Sequence, residues 1–534
     1  MRQINIQQKD YTQDREMYQL RLPVDYEVII PEDDSVRLLS RIVEGVDLSE
    51  LYAEYSELGR KPANPKNQFK VMVYSYMEEN YSTRKIEKAC ERDINYMWLL
   101  EGEAPPDHST ISRFRKDRLG VVMESLFYQF VKILCALGEV NYENVFNDGT
   151  KLEANANRYT FVWKKALEKN EVKMHEKVRQ IAEEMEKLYL KEFNVRTESA
   201  DEDMYRMAAF LEKKMEESGI AWVGGKGKKK SNEQKLLEAL KGYRVRQVEY
   251  EQKKEILDGR NSYSKTDKDA TFMRMKDDHM RNGQLKPGYN VQLAVESEYV
   301  IGVGLFTNTN DHGTLKPMLE NMYKFNPEMQ IGNLTMDAGF ESEENYLYLE
   351  GREIKYFIKP ADYEQKKKRN FKKDISKREN MGYDPEIDEY ICANGKRLKV
   401  KYLTKKKSVS GYISEVTVYE CESCEDCPFK EKCTKAKGNR HMRVSKTFIA
   451  KRAISMENVM SEQGKVLRMN RSVQSEGAFG VLKQDRQFTR FLTRGNENVK
   501  TELLLLCLGY NINKLHSKIQ SNRCGKGLHP LKVA

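Results

Sequence analysis

The sequence predicts a mixed α/β protein in which helices surround a strand-containing core and two further segments are inserted into that core. Apolar residues recur three and four positions apart through most of residues 35–137, as they do in amphipathic helices. Residues 286–310 contain two short β-type runs, which predict a hairpin of two strands. Residues 331–358 then follow the order strand, helix, strand, which is typical of α/β cores.

The length and composition favour a multidomain protein with a highly charged surface. The chain has 534 residues, of which 39% are hydrophobic and 33% charged. A chain of this length favours roughly three or four domains. The 92 Lys and Arg exceed the 82 Asp and Glu, giving a formal net charge of +10. Basic runs at 364–407 and 226–230 suit phosphate neutralisation, although such runs also occur on solvated, flexible surfaces.

The chain shows no targeting or membrane-spanning segment by its apolar runs. The first sixteen residues, MRQINIQQKDYTQDRE, lack the apolar stretch of a signal peptide. The longest apolar run, LLLLCLG at 503–509, is far shorter than the ~20 residues that a membrane-spanning helix needs. We therefore expect a cytoplasmic protein with no membrane partner and with reduced cysteines.

Residues 1–138 are predicted to form a helical N-terminal domain. A polar break, EGEAPPDHS at 101–109, separates two helices, and Asp107 or Ser109 is expected to cap the second. This second helix carries Arg113 and Arg115 near its start, an arrangement that resembles a helix-turn-helix. In that interpretation both arginines would contact DNA, whereas a plain helical bundle with exposed arginines is the alternative.

The remaining chain divides into a discontinuous core, two insertions and a tail. The core is predicted at 139–163, 259–360 and 461–520. Residues 164–258 are predicted to form an inserted helical hairpin, and residues 361–460 a basic, β-rich insertion. The tail, 521–534, is expected to be loose. A heptad pattern in the first inserted helix favours core packing, with partner binding as the alternative; it comprises Met174, Val178, Ile181, Met185 and Leu188.

Three acids are candidates for metal-dependent catalysis. Asp148 and Asp337 each follow an apolar strand and precede a small-residue turn, and acids at strand ends of an α/β sheet face the usual ligand site. Glu476 lies on a predicted helix with Lys483 seven residues later, about two turns away on the same face. Three carboxylates provide the oxygen ligands that Mg²⁺ prefers, and two such ions can support in-line phosphoryl transfer. Arg471 and Lys483 would pair with DNA phosphates.

Each acid also has a simpler interpretation. Asp before Gly is an ordinary turn residue, and a Glu in a charged helix is usually solvated. Asp311 also follows an apolar strand and competes with Asp337, while Glu153 competes with Asp148.

Four closely spaced cysteines indicate a metal site in the basic insertion. Cys421, Cys424, Cys427 and Cys433 form a C-x2-C-x2-C-x5-C pattern. Four thiolates suit a structural, tetrahedral Zn²⁺, and an Fe–S cluster or four reduced, non-ligand thiols are the alternatives. The other five cysteines, Cys392 among them, lie apart in sequence and are interpreted as core or surface thiols.

Five long blocks resemble the recurrent blocks of IS1182-type insertion-sequence transposases, which belong to the broader IS4/IS5-like DDE group. The blocks are NDGTKLEANANRYTFVWKK, SYSKTDKDATFMRMK, LKPGYNVQLAVE, TMDAGFESEENYLYL and SEGAFGVLKQDRQFTRFLTRG. The resemblance runs in order from about residue 22 to residue 514 and so covers most of the chain.

The resemblance implies an RNase H-like catalytic core in which Asp148, Asp337 and Glu476 are the three acids. Glu476 and Lys483 keep the spacing of the group's Tyr-Arg-Glu-Lys signature. Arg471 lies one residue upstream of the usual Arg, whose position Ser472 occupies, and no Tyr fills the first slot. The resemblance further implies that the helical region near 22–120 recognises the ends of the element.

These observations predict a DDE transposase that cuts DNA at element ends and joins the 3′-hydroxyl to target DNA. The expected partners are terminal inverted repeats and target DNA, bound by a homodimer because two ends must be joined. The expected location is the bacterial cytoplasm, in association with the nucleoid when DNA is bound. The alternatives are a Mg²⁺-dependent nuclease that does not join DNA and a non-catalytic DNA-binding protein.

Overall fold

A computed structural model describes most of the chain and shows a mixed α/β architecture. The predicted class is therefore confirmed at this level. The predicted basic run at 226–230 lies largely outside the described residues. These are residues 26–56, 63–193, 195–196, 199–224, 229–275 and 283–531.

The described N-terminal residues are helical, as predicted, and several helices begin at a side-chain cap. Asp107 accepts a hydrogen bond from the Thr110 amide at 2.6 Å, which confirms it as the cap after the polar break. A π-helical turn, Phe114–Leu119, joins the last two helices. The helices are α1 (Tyr26–Ile29), α2 (Ser35–Glu44), α3 (Ser49–Ala53), α4 (Pro65–Met77), α5 (Thr83–Arg92), α6 (Ile94–Leu99), α7 (His108–Arg113) and α8 (Gly120–Ala136).

The helical stretch His108–Ala136 is long and apolar enough to cross a membrane by length and composition alone. Half of its most apolar window is buried inside the protein. Leu126, Phe127 and Phe130 of α8 belong to the main hydrophobic core. These contacts identify α8 as a core helix, and no membrane protein is indicated.

The main sheet has six strands in the order β4-β5-β1-β7-β8, with β6 also paired to β5. β5 and β6 pair antiparallel, which confirms the predicted hairpin. β1 pairs antiparallel with β5 and parallel with β7, and β7 pairs parallel with β8. β2 and β3 form a separate two-stranded sheet. The strands are β1 (Asn144–Glu153), β2 (Phe161–Trp163), β3 (Ser262–Ser264), β4 (Thr271–Arg274), β5 (Leu285–Glu296), β6 (Tyr299–Phe306), β7 (Asn333–Met336) and β8 (Lys355–Ile358).

Strand β1 is longer than predicted. The sequence places its end at Asp148, whereas the strand continues to Glu153. The strand is extended by its pairing with β5, a segment distant in sequence, which continues as far as the residue pair Glu153–Gly288. The parallel pairing with β7, however, stops at the couple Asn147–Met336, so Asp148 still lies just past the end of the parallel ladder.

The first insertion contains three long helices among its described residues, which corrects the predicted two-helix hairpin. The first helix ends at Leu190, which adopts a left-handed backbone conformation with φ 51°. Apolar side chains of all three helices, including Val178, Leu211 and Leu240, share a core of their own. Leu188 of the predicted heptad is 49% exposed and lies outside that core. The helices are α9 (Lys164–Tyr189), α10 (Ala200–Glu217) and α11 (Asn232–Leu257).

The second insertion contains a five-stranded antiparallel sheet in the order β13-β12-β11-β10-β9, so its β-rich character is confirmed. The predicted boundary at 460 is too late, because residues 446–460 form a helix that packs on β8 of the main sheet. The elements from α12 onward are α12 (Leu315–Phe325), α13 (Glu343–Glu350), α14 (Tyr363–Lys367), α15 (Arg369–Lys372), β9 (Gly382–Asp384), β10 (Glu389–Ile391), β11 (Arg397–Lys407), β12 (Ile413–Cys421), α16 (Lys430–Cys433), β13 (His441–Val444) and α17 (Lys446–Met460).

The last helices cover both faces of the main sheet. Phe146 of β1 packs with Leu467 of α18 (Glu462–Arg471) on one face, while Val145 faces the main core on the other. After α18 come α19 (Gly477–Gly480) and α20 (Asn496–Gln520). The buried helix α20 packs against α4, α8 and β6, so the N-terminal helices and the sheet share one hydrophobic core.

The C-terminal tail is not loose over its described residues. Asn470 of α18 accepts a hydrogen bond from the His529 amide at 2.8 Å and donates one to the His529 carbonyl at 2.9 Å. Gln474 donates to the Gly527 carbonyl at 2.8 Å, and the Gly525 amide donates to Glu139 at 2.8 Å. Because these bonds use the tail's backbone, its side-chain sequence gives no sign of them.

Candidate active site

Asp148 and Asp337 lie just past the end of the parallel ladder between β1 and β7. The last residue pair between β1 and β7 is Asn147–Met336, and each acid is the next residue along the chain. Asp148 is 7% exposed, and its Oδ1 accepts a hydrogen bond from the Gly149 amide at 2.8 Å. Asp337 is exposed, and its Oδ1 accepts from the Ala338 amide at 2.7 Å, which starts a 3-10 turn. The parallel register therefore makes the two acids neighbours at one sheet edge.

Glu476 reaches this edge from a π-helical turn. The turn comprises Ser472–Glu476 and follows α18 directly. In an α-helix, side chains five residues apart point in quite different directions, whereas a π turn brings residues i and i+5 to one side. Arg471 and Glu476 are five residues apart, and their side chains meet at 3.3 Å. The π turn therefore accommodates the one extra residue that separates Arg471 from Glu476, compared with the Arg and Glu of the Tyr-Arg-Glu-Lys signature.

Arg471 links two of the three acids. One guanidinium nitrogen, Nη1, lies 3.2 Å from Oδ2 of Asp148, and Nη2 lies 3.3 Å from Oε1 of Glu476. The Ser472 hydroxyl donates to the other Glu476 oxygen at 3.0 Å. The Arg471 side chain is 18% exposed, so this cation is partly enclosed between the two carboxylates.

Lys483 contacts the strand that carries Asp148. Its ammonium donates to the Lys151 carbonyl of β1 at 3.4 Å. A second π-helical turn, Val481–Asp485, contains Lys483, so the spacing to Glu476 is not that of a regular α-helix. The hydrogen bond to Lys151 nevertheless holds Lys483 against β1, the strand that carries Asp148.

The two N-terminal arginines are placed differently from each other. Arg113 is exposed at the end of α7, where its side chain is accessible to DNA, as the predicted contact requires. Arg115 is only 9% exposed, and it donates to the Tyr76 hydroxyl at 3.4 Å and to the Tyr81 carbonyl at 3.3 Å. Arg115 is therefore buried inside the π-helical turn, so only Arg113 of the pair is exposed as the predicted DNA contact requires.

The competing acids have other partners. Glu153 is held by Arg158 at 2.8 Å and by Lys286 at 3.3 Å, five residues beyond Asp148 on β1. Asp311 accepts hydrogen bonds at 2.8 Å from both Asn290 and Gln292 of β5.

A buried amide network that sequence reasoning missed lies beside the acids. Gln292 pairs in register with Gly149, and a Cβ at Gly149 would stand 2.3 Å from the Gln292 amide nitrogen. A Cβ at Gly339 would stand 3.0 Å from the Asp311 carboxylate. Gln292 and Asp311 therefore connect Gly149, which follows Asp148 in β1, with Gly339 in the turn after Asp337. The available signal was the polar residues in the apolar strand β5, which contains Asn290 and Gln292.

The cysteine cluster gains a member. Cys392, predicted to lie apart, lines the same small cavity as Cys421, Cys424, Cys427 and Cys433. Burial, together with the neighbouring Cys424 thiol, raises the pKa of Cys421 to about 12. Arg440 donates from Nη1 to the Cys433 sulfur at 2.8 Å and from its amide to the Cys424 sulfur at 3.4 Å.

Neither cluster is preformed as a metal cage. In the part of the chain that the structure describes, no three His, Cys, Asp or Glu side chains are arranged to hold a metal ion. At the acids, Arg471 instead supplies the positive charge between Asp148 and Glu476.

Comparison with known families identifies two regions. Residues 391–516 match the Transposase DDE domain, a range that contains Glu476 and the cysteine cluster. Residues 24–117 match the Transposase domain (DUF772), which corresponds to most of the N-terminal helices. Neither a curated protein nor a solved structure matches the chain.

A DDE domain implies a DNA-processing enzyme, and DDE transposases generally use divalent metal ions and act on DNA. The two matched regions lie near the two ends of the stretch, from about residue 22 to residue 514, over which the resemblance to this group runs. The chain therefore matches two transposase family models, a pair that is typical of IS1182-family transposases.

Proposed function

We propose that this protein cuts DNA at the ends of an insertion sequence and transfers the cut strand into target DNA. The observation that carries the proposal is that Asp148, Asp337 and Glu476 all lie around the end of the parallel ladder between β1 and β7. Asp148 and Asp337 are neighbours by parallel register, and Arg471 joins Asp148 to Glu476. A homodimer is the proposed working unit, since two element ends are processed together.

The strand arrangement supports an RNase H-like core for this reaction. The antiparallel strands β6, β5 and β1 are followed by β7 and β8, which run parallel to β1. The core is completed by helices from 446 onward, after the β-rich insertion. We propose the predicted domain organisation with two adjustments, a three-helix first insertion and an earlier end of the second.

The donor set fits divalent magnesium. Asp148, Asp337 and Glu476 offer only carboxylate oxygens, which Mg²⁺ prefers, and the exposure of Asp337 leaves room for water and phosphate. Bound Mg²⁺, two ions in the proposed enzyme, would activate the attacking oxygen and stabilise the leaving oxygen. Lys483, Arg471 and the exposed Arg113 are proposed to contact DNA phosphates.

The test is a strand-cleavage assay with labelled DNA that carries the ends of the element. Cuts at the ends with Mg²⁺ but not with EDTA, followed by joined products, are the expected result. Cuts without joined products would favour the nuclease alternative. Binding of DNA without any cut would favour the non-catalytic DNA-binding alternative.

Arg471→Ala is expected to affect metal binding and cleavage in opposite directions. The change removes the cation between Asp148 and Glu476, and a partly buried ion pair is worth about 1 kcal/mol, or roughly fivefold in affinity. Mn²⁺ binding measured by electron paramagnetic resonance should therefore tighten by about this factor. Cleavage should fall because the proposed phosphate contact is lost. Arg471→Lys, which keeps the charge, is the control; unchanged Mn²⁺ binding in Arg471→Ala would refute the idea that Arg471 competes with metal.

We also propose that the cysteine cluster holds a structural Zn²⁺, with Cys392 as an additional candidate ligand. The shared cavity and the two N–H donors of Arg440 on sulfur support thiolates at this place. Elemental analysis should find about one zinc per chain, reduced in Cys424→Ser but not in the exposed, distant Cys524→Ser. Iron with visible absorption would identify the Fe–S alternative, and a metal-free wild-type chain would refute both.

A further inference from the structure

The β-rich insertion contains a two-stranded arm that pairs with no other strand among the described residues. β11 and β12 pair along their length, from Leu398–Cys421 to Lys407–Ile413. Their flanking strands cover only the base: β13 reaches no further than Thr417, and β10 no further than Leu398. We define residues 403–415 as the arm. The arm lies beyond the residues that pair with β10 and β13, so it is a hairpin of two strands only.

The arm exposes apolar and basic side chains together. Leu403 is 74% exposed and Ile413 55%, and the tip residue Val409 is fully exposed. A lone two-stranded hairpin is only marginally stable in water, and these apolar side chains gain little stabilisation from packing against the rest of the protein. The adjacent Lys405, Lys406 and Lys407 are all exposed.

The lysines of the arm differ from the lysines at its base. Lys399 and Lys401 are paired with Glu422 at 3.1 Å and with Glu420 at 2.9 Å. By contrast, Lys405, Lys406 and Lys407 have no ion-pair partner among the described residues, although Glu415 lies across the ladder from Lys405. These three lysines therefore present positive charge that no ion pair among the described residues neutralises.

The tip of the arm is anchored near the candidate active site. The Tyr412 hydroxyl donates to Glu343 at 2.7 Å, and the Ser410 hydroxyl donates to Glu344. Both glutamates begin α13, which starts six residues after Asp337. The arm therefore lies against the segment that follows one of the three catalytic acids.

We propose that the arm binds the phosphate backbone of the DNA that enters this active site, through Lys405, Lys406 and Lys407. The proposal rests on the proposed function, since it takes DNA as the substrate. A polyanion matches the uncompensated charge, and a β-ribbon is narrow enough to follow a groove of the duplex. The paired lysines at the base are then expected to contribute little.

The test measures DNA affinity against salt concentration for the full-length protein. Each neutralised phosphate contributes about 0.9 to the slope of log affinity against log salt. The variant Lys405→Gln/Lys406→Gln/Lys407→Gln should therefore lower the slope by roughly 2 to 3 relative to wild type. The matched variant Lys399→Gln/Lys401→Gln should change it much less. Because all five positions are exposed, thermal unfolding should be unaltered.

The outcomes separate this proposal from the function on which it rests. Wild type that cuts DNA, with equal slopes for wild type and the triple variant, would overturn the arm's role alone. Wild type that neither binds nor cuts element-end DNA would overturn the proposed function. Loss of a dimer in the triple variant, seen by sedimentation with unchanged DNA slope, would identify a second copy of the chain as the occupant and also overturn the proposal.

Discussion

Asp337→Asn is expected to abolish metal-dependent DNA cleavage while leaving the fold and DNA binding intact. Asp337 is exposed, and its described hydrogen bond is to the amide of the next residue, which an asparagine oxygen can still accept. The substitution therefore removes a carboxylate charge without disturbing packing. Loss of a metal-binding carboxylate should reduce the rate by at least about a thousandfold. The measurement is single-turnover cleavage of element-end DNA at saturating Mg²⁺.

The matched control for this prediction is Glu153→Gln. Glu153 lies on β1 with Asp148, but Arg158 and Lys286 hold it, so cleavage should be close to that of wild type. Asp148→Asn is a less clean probe, because Asp148 is buried and bonded to Arg471. Full cleavage by Asp337→Asn would contradict the catalytic assignment. Equal loss in Glu153→Gln would show that the assay reports folding instead.

Lys518→Ala is expected to be the most destabilising single change considered for this protein. The Lys518 side chain is fully buried in α20, and its ammonium donates to Glu139 at 3.2 Å and to the Ser297 carbonyl at 2.8 Å. Removing it leaves the buried Glu139 carboxylate without its cation, which costs about 3–5 kcal/mol. It also removes a contact to the Lys526 carbonyl, so the tail should loosen.

Urea unfolding checks this prediction, because a destabilised variant should reach the midpoint of its main unfolding transition at a lower urea concentration than wild type. The matched variant is the double change Lys518→Met/Glu139→Gln, which removes both charges and should be distinctly milder than Lys518→Ala. Amide hydrogen exchange at Gly525 reports the loosened tail independently. Equal destabilisation by the single and double variants would show that packing, and not the charge pair, dominates at this position.

Local patterns predicted the secondary structure well and the long-range arrangement poorly. The hairpin of β5 and β6 follows from alternation within a short window, and Asp107 caps its helix as its position after two prolines suggests. The end of β1 was misplaced because β5, more than 130 residues away, extends the ladder past Asp148. The burial of Arg115 was not predicted, because it depends on contacts with Tyr76 and Tyr81, more than thirty residues earlier in the chain.

The candidate site shows the same division. The three acids were predicted from the sequence because each stands in a recognisable local context, a strand followed by small residues or a helix with a fixed Glu–Lys spacing. Gln292 and Asp311 were not placed beside them, because their positions depend on strand register and on loop packing. Cys392 was left out of the cysteine cluster, since it lies nearly thirty residues before Cys421 and reaches it only through the sheet of the insertion.

By itself the sequence determined the mixed α/β class, and it predicted the resemblance to transposases, the three candidate acids and the cysteine motif, because these depend on residue types at short, fixed spacings. Only the tertiary structure decided that Arg471 lies between Asp148 and Glu476 and that the tail is held by Asn470 and Gln474. It also decided that the lysines of the arm form no ion pair within the described part of the chain. These features arise from contacts between segments far apart in the chain. Such contacts are set by packing, strand register and π-helical turns, which leave little trace in the order of neighbouring residues.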